Sequence, residues 1–115
     1  MIGIVTHLFT FTYKERTMLA KKYSRDKKKC EVTFDLPAEV NAQSAFLVGD
    51  FTEWMDASKE MDQQEDGGFS ITVALPAERE YSFRYLLDNE RWENDADADA
   101  FAPNPFGTQN SVLIV

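Results

Sequence analysis

Along most of the chain, apolar and polar residues alternate one by one, the pattern of strands with a single buried face. Cys30, Val32, Phe34 and Leu36 alternate with Glu31, Thr33 and Asp35. Pro37 closes the run, because proline has no N–H to give to a ladder. Ala45-Phe46-Leu47-Val48 is a short continuous apolar run ended by Gly49-Asp50. Phe69, Ile71, Val73 and Leu75 alternate with Ser70, Thr72 and Ala74, between an Asp66-Gly67-Gly68 turn and Pro76. Tyr81, Phe83, Tyr85 and Leu87 alternate again, and Asp88-Asn89 reads as a hairpin turn towards Arg91-Trp92. A last strand is expected over Val112 to Val115, and one more within Ser58 to Gln63. The stretch Arg16 to Lys29 has too few apolar positions to bury a helical face beyond a turn or two.

Short strands divided by Gly, Pro and Asp turns predict an all-β, antiparallel β-sandwich. The 115 residues, 43% of them hydrophobic, suffice for one core and exclude disorder of the whole chain. Charge divides the chain unevenly. Residues 14–29 hold eight of the twelve Lys and Arg, whereas residues 30–115 carry four basic and eighteen acidic side chains, a net of −14. The expected organisation is therefore a flexible basic leader over residues 1–29 and the sandwich domain over residues 30–115. Met18 is a second methionine, and the first 17 residues read either as an upstream translation extension or as a floppy leader. An acidic body repels phosphate backbones, which argues against nucleic acid as a partner. No apolar run approaches membrane-spanning length, and the apolar start lacks the basic flank and cleavage site of a signal peptide. The single Cys30 permits no intrachain disulfide and suits a reducing, cytoplasmic setting, with a buried core thiol expected.

Catalytic constellations are almost absent. The one histidine, His7, lies in the leader, so a nucleophile–histidine arrangement has no rigid element to hold it. There is no phosphate-binding glycine loop and no His or Cys cluster, so no cofactor and no metal is expected. Asp95, Asp97 and Asp99 imitate the start of a calcium loop. However, Ala100 stands where that loop needs glycine and Phe106 where it needs glutamate, so a solvated acidic loop is expected instead. The two tryptophans, Trp54 and Trp92, stand in otherwise polar stretches just past strands. Each either plugs an end of the core or stands exposed. An exposed indole offers a flat face to the apolar C–H side of a pyranose ring, with amides and basic side chains beside it for the hydroxyls.

At these residues the chain resembles the family 48 carbohydrate-binding modules, which include the early-set domains of isoamylases and branching enzymes and the glycogen-binding domain of the AMP-activated protein kinase β subunit. The resemblance is carried by VGDFTEW (Val48 to Trp54), DGGFSITVALP (Asp66 to Pro76), EYSFRYLLD (Glu80 to Asp88), RWENDADADAF (Arg91 to Phe101) and NPFGTQNSVLIV (Asn104 to Val115), in the family's order. The likeness is strongest to small stand-alone bacterial proteins of the early-set kind. It implies an immunoglobulin-like (early-set) sandwich and a glucan site made of Trp54, Arg84, Trp92, Phe106, Thr108 and Asn110. Arg84 stands where the kinase domains have lysine, Phe106 replaces an aliphatic loop tip, and one extra residue precedes Trp92. Gly107 is expected to allow the backbone angle that projects Phe106. The function implied is non-catalytic binding of α-1,4-linked glucans (glycogen, starch or maltodextrin) on a two-tryptophan platform. The alternative is an interaction domain that docks onto a separate glucan-metabolising enzyme or kinase-like partner. A hydrolase using an acidic pair is the third and weakest reading.

Overall fold

Alternation becomes strands throughout the computed structural model of the chain, which describes residues 18–115. Ten strands follow in order: β1 (Met18–Tyr23), β2 (Lys29–Leu36), β3 (Ala45–Gly49), β4 (Lys59–Glu60), β5 (Asp62–Gln63), β6 (Phe69–Pro76), β7 (Glu80–Leu87), β8 (Arg91–Glu93), β9 (Ala100–Pro103) and β10 (Gln109–Ile114). One antiparallel sheet runs β1-β2-β6-β5. The other runs β4-β3-β7-β10-β9, with β8 also on β7. The fold is thus the all-β antiparallel sandwich that the sequence predicted.

Cys30, Val32, Phe34 and Leu36 of β2 face Phe83, Tyr85 and Leu87 of β7 and Leu47 of β3 across a shared core. Phe34 packs edge-on to Phe83 at 5.2 Å between centroids, and Phe83 meets Tyr85 likewise at 5.7 Å. Edge-to-face pairs of this kind add about 0.5–1.5 kcal/mol each beyond area burial. Cys30 is a buried free thiol, as expected. The chain changes sheets at Met61, which is buried between β4 and β5 and donates its N–H to the Ala45 carbonyl at 2.8 Å.

Two expectations are corrected. The basic stretch before residue 30 is not a loose leader from residue 18 onward. β1 pairs with β2 along its whole length, from Met18↔Asp35 to Tyr23↔Cys30. Lys21 forms an ion pair with Asp99 at 2.7 Å and donates to the Ile114 carbonyl at 3.0 Å, while the Leu19 N–H donates to Asp97. Residues 1–17, with His7, lie outside the described residues. The acidic loop is likewise not merely solvated. Asp95 is fully buried and accepts a 2.6 Å hydrogen bond from the Tyr85 hydroxyl, and Asp97 and Asp99 take up backbone N–H groups of β1 and β10. Burial and the neighbouring Asp95 carboxylate push the Tyr85 phenol well above its usual range, so it stays a proton donor. Charge in a sequence does not mean exposure: here the loop carboxylates meet Lys21, backbone N–H groups and the Tyr85 hydroxyl.

One strand start and one whole strand also differ. β10 begins at Gln109, earlier than Val112, because the polar Ser111 is buried, with its hydroxyl between Asn94 and the Asp95 N–H. β9 hides in the alanine-rich end of the acidic loop, with too little alternation to be read.

Candidate functional site

The first wall of the site is built by the turn after β3. Gly49 permits a close approach there, since a Cβ on it would lie 2.5 Å from the Ser82 carbonyl oxygen. Phe51 turns inward and packs on Phe34 and Tyr81. Buried Thr52 accepts the Gly49 N–H at 2.9 Å, and its hydroxyl lies 2.8 Å from the Trp54 carbonyl. Glu53 and Trp54 both adopt left-handed backbone angles, φ 49° and 55°. That conformation costs roughly 1–2 kcal/mol for a side chain of this size, so the surrounding bonds must hold it. With Phe51 partly buried against the core, Trp54 is turned partly outward. Its indole Nε1 donates to Asp50 at 3.2 Å, and the other Asp50 oxygen accepts the Ser82 N–H of β7 at 2.7 Å. Asp50 thereby fixes the indole to the sheet, a role the sequence reading did not assign.

The second wall stands on β7 and β8. Asp88 and Asn89 take the left-handed angles of a tight hairpin turn, φ 53° and 59°. The hairpin sets Trp92 opposite Leu86. Trp92 keeps 40% of its surface open. On β7, pairing passes from β10, which ends at Phe83↔Ser111, to β8, which begins at Tyr85↔Glu93. Arg84 falls in the gap between them. Its guanidinium carbon lies 5.5 Å from the Trp92 ring centroid, a cation–π arrangement. Its buried Nε has no hydrogen-bond partner among the described residues. The basic side chain therefore braces the indole as well as lining the site.

The third wall is the β9–β10 loop. Pro105 and Gly107 shape a four-residue turn closed by the Gly107 N–H on the Asn104 carbonyl at 3.3 Å. Gly107 has φ +83°, as its sequence position suggested, and Phe106 is 89% exposed at the tip. Asn104 organises this loop. Its Oδ1 accepts the N–H groups of Phe106 and Thr108 at 3.0 and 3.2 Å, and its Nδ2 donates to the Thr108 hydroxyl at 2.7 Å and to Asn110 Oδ1 at 3.1 Å. Sequence reasoning passed over Asn104. The signal was an asparagine before Pro-x-Gly, whose side chain can accept N–H groups of its own turn.

These walls enclose one groove of about 920 Å3. Trp54, Arg84, Trp92, Phe106, Thr108 and Asn110, the six residues singled out in the sequence, all line it, and Met55, Asn104 and Pro105 complete it. Its chemistry is aromatic faces edged by amides, a hydroxyl and one guanidinium. No group of three or more metal-ligating side chains occurs among the described residues. None of their helices is long and apolar enough to cross a membrane.

Fold and groove together define a β-sandwich with an aromatic-walled surface site. Over 75 residues, 64% of this chain, the sequence is 37% identical to the 1,4-alpha-glucan branching enzyme GlgB of Lactobacillus acidophilus. The match spans only 12% of that enzyme's length. No protein-family model matches the chain.

Proposed function

We propose that this sandwich is a family 48 type carbohydrate-binding module that binds α-1,4-linked glucans, without catalysing their breakdown, in the groove between Trp54, Trp92 and Phe106. The observation that carries this reading is the convergence of three aromatic side chains from the turn after β3, from strand β8 and from the β9–β10 loop on one groove rimmed by Arg84, Thr108 and Asn110. Indole faces suit the C–H side of glucose units, and the polar rim suits their hydroxyls. The relationship to a glucan branching enzyme supports the same substrate class. The ligand is glycogen, starch or maltodextrin, met in the cytoplasm.

Tryptophan fluorescence during titration with maltoheptaose tests this. A shallow open site predicts a Kd of about micromolar to millimolar. Trp54→Ala and Trp92→Ala are each expected to weaken binding about tenfold or more and to abolish retardation on amylose gels, with melting temperatures showing both variants folded. An unchanged wild-type signal at high sugar, with the protein folded, would sink the proposal.

A second reading draws on the 89% exposure of Phe106 beside Met55, which is 56% exposed. Such an apolar tip also suits docking onto a separate glucan-metabolising enzyme. Retention of that enzyme on the immobilised protein, lost in Phe106→Ala and indifferent to added maltoheptaose, would favour it over sugar binding.

A further inference from the structure

A second hollow, of about 330 Å3, shares Arg84 and Trp92 with the groove and is completed by Phe101, Asn94, Glu93 and Ala96 among others. Its origin is the break in pairing on β7 at Arg84, where β10 gives way to β8 and the chain of residues 94–99 departs from the ladder. The stacked Arg84–Trp92 pair is thus a ridge common to two concavities. Phe101, on β9, is 46% exposed although it is a large apolar side chain. Asn94 is held in place by its own bonds, donating to the Gln109 carbonyl at 2.9 Å and accepting from the Ser111 hydroxyl at 2.8 Å.

We propose that this hollow continues the glucan site, and that Phe101 serves as a further aromatic platform for the sugar units of chains that run beyond the groove across the Arg84–Trp92 ridge. The proposal rests on the glucan reading of the groove. Three observations support it. First, the two concavities share a wall, so a ligand that stacks on Trp92 stands at the entrance of both. Second, the hollow repeats the chemistry of the groove, with an aromatic ring beside an amide and a hydrogen-bond acceptor. The acidic Glu93 in its lining disfavours an anion and suits a neutral polyol. Third, its size is at the lower end of ligand sites, roughly 300–1,000 Å3, which fits the end of a longer chain better than a whole ligand.

Chain length separates the two sites. Wild type and Phe101→Ala are titrated calorimetrically with maltotriose and maltoheptaose, and the backbone amides of Asn94 and Ala96 are followed by NMR in the wild type. The variant is expected to lose about two- to tenfold in affinity for maltoheptaose and nothing for maltotriose. The two amides should shift with maltoheptaose and stay put with maltotriose. Maltoheptaose affinity unchanged in the variant, with both amides silent, overturns the second site while leaving the groove intact. Amide shifts of equal size with both sugars overturn the continuation, because the hollow then takes short sugars independently. A wild type that binds neither sugar overturns the glucan reading itself. The NMR readout needs no variant, so it decides the matter even where Phe101→Ala unfolds.

Discussion

Asn104 shows how much of a loop one side chain can hold. Its amide contacts the Phe106 and Thr108 backbones, the Thr108 hydroxyl and Asn110, so the exposed tip and two polar members of the rim share one anchor. Asn104→Ala is expected to weaken maltoheptaose binding about tenfold while costing only about 1–2 kcal/mol of stability, since the loop is at the surface. Asn104→Asp keeps the acceptor for the two N–H groups but loses the donor to Asn110, so its affinity should fall between the two. Calorimetric titration beside thermal melts checks this, and wild-type affinity in the alanine variant counts against it. Trp54 and Trp92 were legible in the sequence, because large aromatic side chains in polar stretches stand out, whereas Arg84, Phe106, Thr108 and Asn110 were implied only by the family resemblance. The support of these six was not legible. Asp50 and Asn104 are ordinary turn residues by composition, and the stacking of Arg84 on Trp92 depends on a break in strand pairing that alternation does not reveal.

Among the elements, β1 was the least legible. Its sequence, MLAKKY, carries two lysines and no clear alternation, and it reads as polar tail. It becomes a strand because β2 offers it a full ladder and because Asp97 and Asp99, from the β8–β9 loop of the opposite sheet, meet its backbone and Lys21. The contact ties the two sheets along one side of the sandwich. Both partners of the Lys21–Asp99 pair are about one-quarter exposed, at 25% and 27%, so solvent screens much of their attraction. Lys21→Ala is expected to destabilise the protein by about 1 kcal/mol. Part of that difference should vanish at about 1 M salt, where charges are screened within about 3 Å. Denaturant melts of both proteins at low and high salt measure it. Equal stability at low salt would show the contact to be incidental.

For the molecule as a whole, charge and ligand chemistry pull apart. The full chain carries a formal charge of −8, most unfavourable to an anionic ligand. A neutral glucan neither gains nor loses from that field. Maltoheptaose affinity is therefore expected to change by less than about twofold between 50 and 500 mM salt, in contrast to the steep loss seen when phosphates are bound. A strong salt dependence, read by the same fluorescence titration, would point to an ionic ligand.

The sequence by itself determined the class of fold, because one-by-one alternation can bury only one face of a strand, and such strands must pair face to face. It also determined the residue types available to the site. What it left open was which way each indole faced and which charged residues were structural. Those outcomes depend on neighbours distant in the chain: Phe51 packs on Phe34 and Tyr81 while Trp54 turns partly outward, and Asp95 is drawn inward by the Tyr85 hydroxyl. Local pattern records a residue's own preference for water, but burial and orientation are settled by the partner that packing brings to it.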